Sequence, residues 1–228
     1  MKNKSYIGIS FIILVFGILF IPRIVNRIKN GTVSQYDRMS AINETKIDTA
    51  LIPIMRKAPK FELTNQNNKK ISNADYAGKV YLVEFFFTTC PSICPVMNKN
   101  MSKIEKQFIK EKDFGIVSIS INPENDTPKI LKEYADKYEA TSPNWNFLTG
   151  DKKYIYEIAN KGFTVFVGEN AKVDGGFEHS GLFALIDKKG NIRCRKDENG
   201  NPIMYYNGLD AKGVKEITED IKIVLKEN

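Results

Sequence analysis

The chain has 228 residues with 34 basic and 27 acidic side chains, one histidine and three cysteines. A hydrophobic share of 42% with only 15 Gly and 9 Pro excludes a disordered or collagen-like chain, and three cysteines exclude a disulfide-dense scaffold. The single histidine excludes a metal site built from several histidines, and any Ser-His-Asp or Cys-His mechanism would have to use it.

Tyr6 to Ile21 reads YIGISFIILVFGILFI, sixteen residues without a charge. As a helix it spans about 24 Å, and Ser5 and Pro22 extend it toward the roughly 30 Å of a hydrocarbon core while Lys4 and Arg23 snorkel. Residues 1–29 therefore read as a membrane anchor with basic flanks. A cleaved signal peptide is the alternative, but there is no A-x-A site and Thr32-Val33-Ser34 is a weak substitute. Lys2, Lys4, Arg23, Arg27 and Lys29 are the basic residues of the first 36, which hold no acid. Residues 37–228 keep 29 basic residues against all 27 acids, a net of +2. Five of the seven net charges thus belong to the anchor's flanks, and the excess gives no reason to expect a nucleic-acid partner. The flanks tie under the positive-inside rule, so charge does not fix the topology.

Residues 30–57 are polar and weakly periodic and read as a linker or stalk. The folded domain is expected over 58–228. Val80–Phe87 (VYLVEFFF) has the continuous apolar character of a strand buried on both faces. Met97, Met101, Ile104 and Phe108 recur at helical spacing, which assigns the methionines to a core stripe. Phe114–Ile121 is a second buried strand. Asp126 or Thr127 then caps a helix with Pro128 in its first turn. A short strand at Asn146–Leu148, a helix near Lys152–Asn160 and a strand at Phe163–Val167 follow. Leu182–Asp187 and Asn191–Arg195 form a hairpin around Lys188-Lys189-Gly190. Asn199-Gly200 marks another turn. Asp210 caps a last helix carrying Val214, Ile217, Ile221 and Val224. Trp145 reads as core or as part of a surface patch. The order β-α-β-α-β-α, then antiparallel strands and a closing helix, predicts an α/β thioredoxin-like fold with a central mixed sheet flanked by helices.

The first strand runs into Thr88-Thr89-Cys90-Pro91-Ser92-Ile93-Cys94-Pro95. Two cysteines four apart stand at the end of a buried strand and the start of a helix. A helix N-terminus favours anions, so both thiols are expected to ionise more easily than a free cysteine. Thiolates are soft donors suited to Cu(I). The one histidine, His179, lies in Phe177-Glu178-His179-Ser180-Gly181, just before the strand at 182, and is a candidate third ligand. Gly175 and Gly176 make that segment pliable. Cys194 has no partner in this pattern and reads as a strand cysteine.

These residues resemble the Sco/SenC family of copper-binding, thioredoxin-like proteins needed for cytochrome c oxidase assembly. FFFTTCPSICP (85–95), INPENDTPKILKEYADKY (121–138), NFLTG (146–150) and EHSGLFALIDKKGNI (178–192) carry the resemblance, in one order, from about Ala58 onward. It implies that Cys90, Cys94 and His179 bind copper, as Cu(I) or Cu(II). Many relatives have Asp before the histidine where this chain has Glu178.

Two functions compete. In the first the protein is a copper metallochaperone whose recipient, by resemblance, is the copper site of cytochrome c oxidase subunit II or another copper-accepting protein. An upstream copper donor and a thiol reductant are then needed, because the ligands must be reduced and deprotonated to load. In the second, Cys90 and Cys94 are the redox-active pair of a thiol-disulfide oxidoreductase. The C-x-x-x-C spacing argues against a general thioredoxin. So does the absence of any proline between Pro143 and Pro202, where thioredoxins carry their cis-proline. A zinc site of two Cys, one His and a water is a third reading that the rest of the pattern does not support. By resemblance the protein is a single-pass protein of the bacterial cytoplasmic membrane, its domain facing the periplasm or cell exterior.

Overall fold

The computed structural model describes Ser10 and residues 14–22, 52–173, 175–197 and 199–227. Residues 14–22 are helical. Among the described residues no helix is long and apolar enough to cross a membrane. The rest of the expected anchor and the stalk through residue 51 lie outside the described residues. The chain divides into two units, at 1–47 and 48–228, and the second carries the sheet.

The elements of this second unit are β1 (Ile54–Lys57), β2 (Glu62–Asn65), β3 (Lys70–Ser72), β4 (Val80–Phe86), α1 (Ile93–Phe108), β5 (Phe114–Ser120), α2 (Pro128–Lys137), β6 (Trp145–Thr149), α3 (Lys152–Glu157), β7 (Val167–Glu169), β8 (Phe177–His179), β9 (Leu182–Ile186), β10 (Asn191–Arg193), β11 (Arg195–Lys196), β12 (Pro202–Ile203), β13 (Tyr206–Asn207) and α4 (Ala211–Lys226). The main sheet has the order β1-β10-β9-β4-β5-β6-β2-β3, with β13 added beside β9. β4, β5 and β6 are parallel, with Val83 opposite Val117 and Val117 opposite Asn146. β9 runs antiparallel to β4. Every residue of β4, β5 and β6 is buried. That is the two-faced burial expected of their near-continuous apolar runs. The result is the α/β fold with a central mixed sheet read from the sequence.

Helix boundaries follow their caps. Thr127 Oγ1 accepts from the Ile130 N–H, with Pro128 opening α2. Asp151 caps α3 and Asp210 caps α4. Met97, Met101, Ile104 and Phe108 face the core from α1. Trp145 is core: it is 1% exposed, stacks on Phe147 at 5.0 Å and donates from Nε1 to Ser118 Oγ at 3.0 Å.

Three local expectations are corrected. Ile54–Lys57, expected at the end of the stalk, is the sheet's edge strand and pairs with β10. An edge strand covered on one side needs no strong apolar alternation, and its residues are half-buried or exposed. The strand expected at Phe163–Val167 begins only at Val167. α3 continues instead as a π-helical turn through Phe163, which ends on Thr164 at φ 54°. The strand expected to reach Arg195 breaks at Cys194, whose N–H turns to the Pro53 carbonyl at 3.0 Å.

A buried ion pair closes the sheet's edge. Arg193, 2% exposed, donates from Nε to the Ile52 carbonyl at 2.7 Å and from Nη2 to Glu227 at 2.9 Å, with Asp187 at 3.4 Å. The start and end of the described domain are thereby held on one guanidinium. Such a group is strongly destabilising when one partner is removed.

Candidate metal centre

The topology brings His179 to the cysteines. β9 lies beside β4 and runs opposite to it, so the segment leading into β9 sits beside the end of β4, where the cysteine loop begins. β8 forms a small antiparallel ribbon with β7, placing His179 opposite Val167. His179 Nε2 lies 3.1 Å from Cys94 Sγ and 3.8 Å from Cys90 Sγ. The three ligand atoms fall within 4.8 Å of one another. His179 Nδ1 is buried without a partner. A cavity of about 320 Å³, lined by Phe87, Phe177 and Val173, opens onto Cys90 and His179.

The helix start shapes the sulfur chemistry. The side chain of Ser92, the residue before α1, makes no capping bond. Cys90 Sγ takes that place, accepting from the Cys94 N–H at 3.4 Å, with Ser92 Oγ at 3.9 Å. The hydrogen bond from the Cys94 thiol holds Cys90 down to about 3 against the cost of burial, helped by His179 and the backbone N–H groups of Cys94 and Ser92. Cys94, fully buried, goes the other way. Burial and its bond to Cys90 push its thiol far above the ordinary range. The expectation that both thiols ionise readily is therefore corrected: one proton is shared by two close sulfurs, and the buried one keeps it.

Cys194 is 0% exposed, and burial pushes its thiol up to about 11. It is not part of the Cys90, Cys94 and His179 group. In the reduced protein at pH 6, iodoacetamide should modify Cys90 first and Cys194 only in denaturant, as read by peptide mass spectrometry. Alkylation of native Cys194 ahead of Cys90 would contradict this ordering.

Sequence reasoning missed much of what holds the site. Asp126 does not cap α2. It is fully buried, and its carboxylate accepts from the Thr88 N–H at 3.0 Å, from Ser120 Oγ at 2.6 Å and from Asn125 Nδ2 at 2.8 Å, as well as from Thr88 Oγ1. It thus ties the first residue of the cysteine loop to the end of β5. Phe87 meets Phe177 at 5.1 Å and the edge of the His179 ring at 5.5 Å. Gly175, at φ +86°, lies so close that a Cβ would meet Phe87 and Pro91 at 3.0 Å. Glycine there lets the histidine loop close over the cysteine loop. Glu178 accepts from Asn170 Nδ2 and leaves His179 Nδ1 without a partner.

Glu84 was visible as the one charge in VYLVEFFF. It is fully buried, accepts from Ser118 Oγ at 2.6 Å, and has one oxygen without a partner. Burial pushes its carboxyl up to about 7 from 4.5. A raised carboxyl favours the folded state below the unfolded pKa, and that benefit is lost as pH rises through the folded one. Wild-type stability should therefore fall by about 3 kcal/mol between pH 4.5 and 8 on account of this group. Urea unfolding of Glu84→Gln across that range should lack this loss. An unchanged pH slope would remove Glu84 as its source.

Known proteins share this fold. Residues 53–211 match the SCO1/SenC family model. A SCO1 protein homolog of Bacillus subtilis is 34% identical over 172 residues, covering 75% of this chain and 83% of that protein. A solved SCO1/SenC family lipoprotein from Bacillus anthracis strain Ames is 31% identical, with a TM-score of 0.65 over 75% of this chain and 96% of that one. ScoI of Bradyrhizobium japonicum, solved with copper bound, is 26% identical, with a TM-score of 0.59 over 74% of this chain and 99% of that one. With its cysteine loop, its histidine and more than half its length inside the matched region, the chain belongs to the SCO1/SenC family.

Proposed function

We propose that this chain is a membrane-anchored copper metallochaperone, which takes one copper ion as cargo on Cys90, Cys94 and His179 and passes it to the copper site of cytochrome c oxidase subunit II. The observation that carries this is the convergence of the chain's only histidine and two of its three cysteines within 4.8 Å. Two sulfurs and one imidazole nitrogen are a donor set for Cu(I) or Cu(II). Loading replaces the proton held by Cys94, so Cu(I) uptake releases a proton. Three ligands leave a position open through which a recipient's ligand can enter. The copper-bound relative supports the choice of metal.

In this reading Tyr6–Ile21 anchors the protein in the bacterial cytoplasmic membrane, with the domain on the outer face. An upstream copper donor and a thiol reductant keep it loaded and reduced. A second reading is supported by the unequal thiols. The Cys90 thiolate attacks a partner's disulfide, giving a mixed disulfide and releasing one partner thiolate. Cys94, losing its proton, then displaces the second. The outcome is a Cys90–Cys94 disulfide and a reduced partner.

The test is anaerobic Cu(I) titration of the reduced full chain with metal-edge spectroscopy. One equivalent bound through two sulfurs and one nitrogen, and not displaced by equimolar Zn(II), is the expected result. A shell without sulfur, or preference for zinc, overturns the proposal.

A further inference from the structure

α1 and α4 leave between them a groove of about 930 Å³ that begins at Pro95 and Val96, directly after Cys94. On α1 it runs from Pro95 to Gln107, about 18 Å along the helix axis. Its floor is apolar, from Val96 (43% exposed), Leu209 and Val214. Its width is fixed, because Asn100, 8% exposed, donates from Nδ2 to the Gly208 carbonyl at 2.9 Å.

The rim is basic. Lys99, Lys103, Lys215 and Lys222 line it against one carboxylate, Glu219, which is already engaged by Arg195 at 3.1 Å. Among the described residues Lys99, Lys103 and Lys222 make no ion pair, and Lys215 reaches Glu219 only at 3.9 Å. Against a net of +2 over residues 37–228, this is a local concentration of positive charge.

We propose that this groove is the docking surface for an acidic, partly apolar segment of the copper-accepting protein. The inference rests on the metallochaperone reading and adds where and by what chemistry the recipient is held. A second copy of this chain would bring the same four lysines against these four and be repelled. A flat anionic bilayer can meet the lysines but cannot reach the floor of a concavity. A protein segment carrying Asp or Glu beside Leu or Val satisfies both rim and floor. Seated there, it lies along the first turns of α1, the helix that carries Cys94.

The test uses the full chain in POPC nanodiscs, loaded with one Cu(I) and mixed with the apo copper domain of an oxidase subunit II. Lys99→Glu/Lys103→Glu should slow second-order copper transfer at least about tenfold at low ionic strength and flatten its salt dependence. Copper affinity at Cys90, Cys94 and His179 should stay within about twofold of wild type, with Lys99→Gln/Lys103→Gln intermediate in rate. An unchanged transfer rate with copper binding intact overturns the docking proposal and leaves the metallochaperone reading standing. Slowing seen only in nanodiscs containing anionic POPG assigns the lysines to lipid and overturns it too. A wild-type chain that binds copper but transfers none overturns both.

Discussion

His179→Ala lowers the affinity of the reduced chain for Cu(I) by at least roughly a hundredfold while leaving Cys90 and Cys94 able to form a disulfide. Removing a partner that merely orients a ligand costs about 10–100-fold in metal affinity, and His179 presents its ring nitrogen to both sulfurs at 3.1 and 3.8 Å. Among the described residues no other metal-ligating side chain joins this group to replace it. Glu178, next in the chain, is engaged with Asn170. Among the described residues Cys90, Cys94 and His179 form the single group of three or more His, Cys, Asp or Glu side chains that could hold a metal ion. Disulfide formation needs only the two sulfurs to close, and the hydrogen bond from Cys94 that chiefly lowers Cys90 survives the substitution. Two measurements separate the competing functions: competitive Cu(I) titration, and the rate at which an oxidised copper-site peptide is reduced. Equal copper affinity in wild type and variant defeats the three-ligand site. Peptide reduction that survives His179→Ala and vanishes in Cys90→Ser favours the reductase.

The candidate ligands stood out because the chain is poor in both residue types, and the cysteines sit where a buried strand meets a helix. Their approach to His179 was not. Eighty-five residues separate Cys94 from His179, and only the pairing of β9 with β4 brings them together. The central strands and capped helices were readable because two-faced burial and helical spacing leave strong patterns. The edge strand β1 and the π-helical turn after α3 leave weak ones, since neither must alternate. The unequal thiols were also out of reach. A helix N-terminus lowers any nearby thiol, but which sulfur keeps the shared proton depends on burial, and Cys94 is buried more completely than Cys90. The sequence likewise offered Asp126 as a cap, a local role. A carboxylate serving four donors from two loops and a strand end leaves no signature in spacing.

Asp126→Ala destabilises the domain by about 4 kcal/mol and loosens the cysteine loop enough to weaken copper binding as well. The carboxylate is fully buried, and it is the acceptor for the Thr88 N–H, the hydroxyls of Thr88 and Ser120, and the Asn125 amide. A hydrogen bond to a charged group is worth about 1.5–3 kcal/mol, and each donor left dry costs about 1–3 kcal/mol. The sum is limited because Asn125 is only half-buried and can turn to water. Asp126→Asn keeps the shape and one carbonyl oxygen but turns a donor toward Thr88 or Ser120, so about half the loss is expected. A fold-only role predicts that copper affinity, measured where each variant is fully folded, is unchanged. Tethering of Thr88, two residues before Cys90, predicts that affinity falls in parallel with stability, and that Thr88→Val, which removes the Oγ1 bonds to Asp126 and Asn125 but keeps the N–H bond, lies between. Urea unfolding and Cu(I) titration of the three variants decide this. A wild-type unfolding midpoint for Asp126→Ala would show that the buried carboxylate holds nothing.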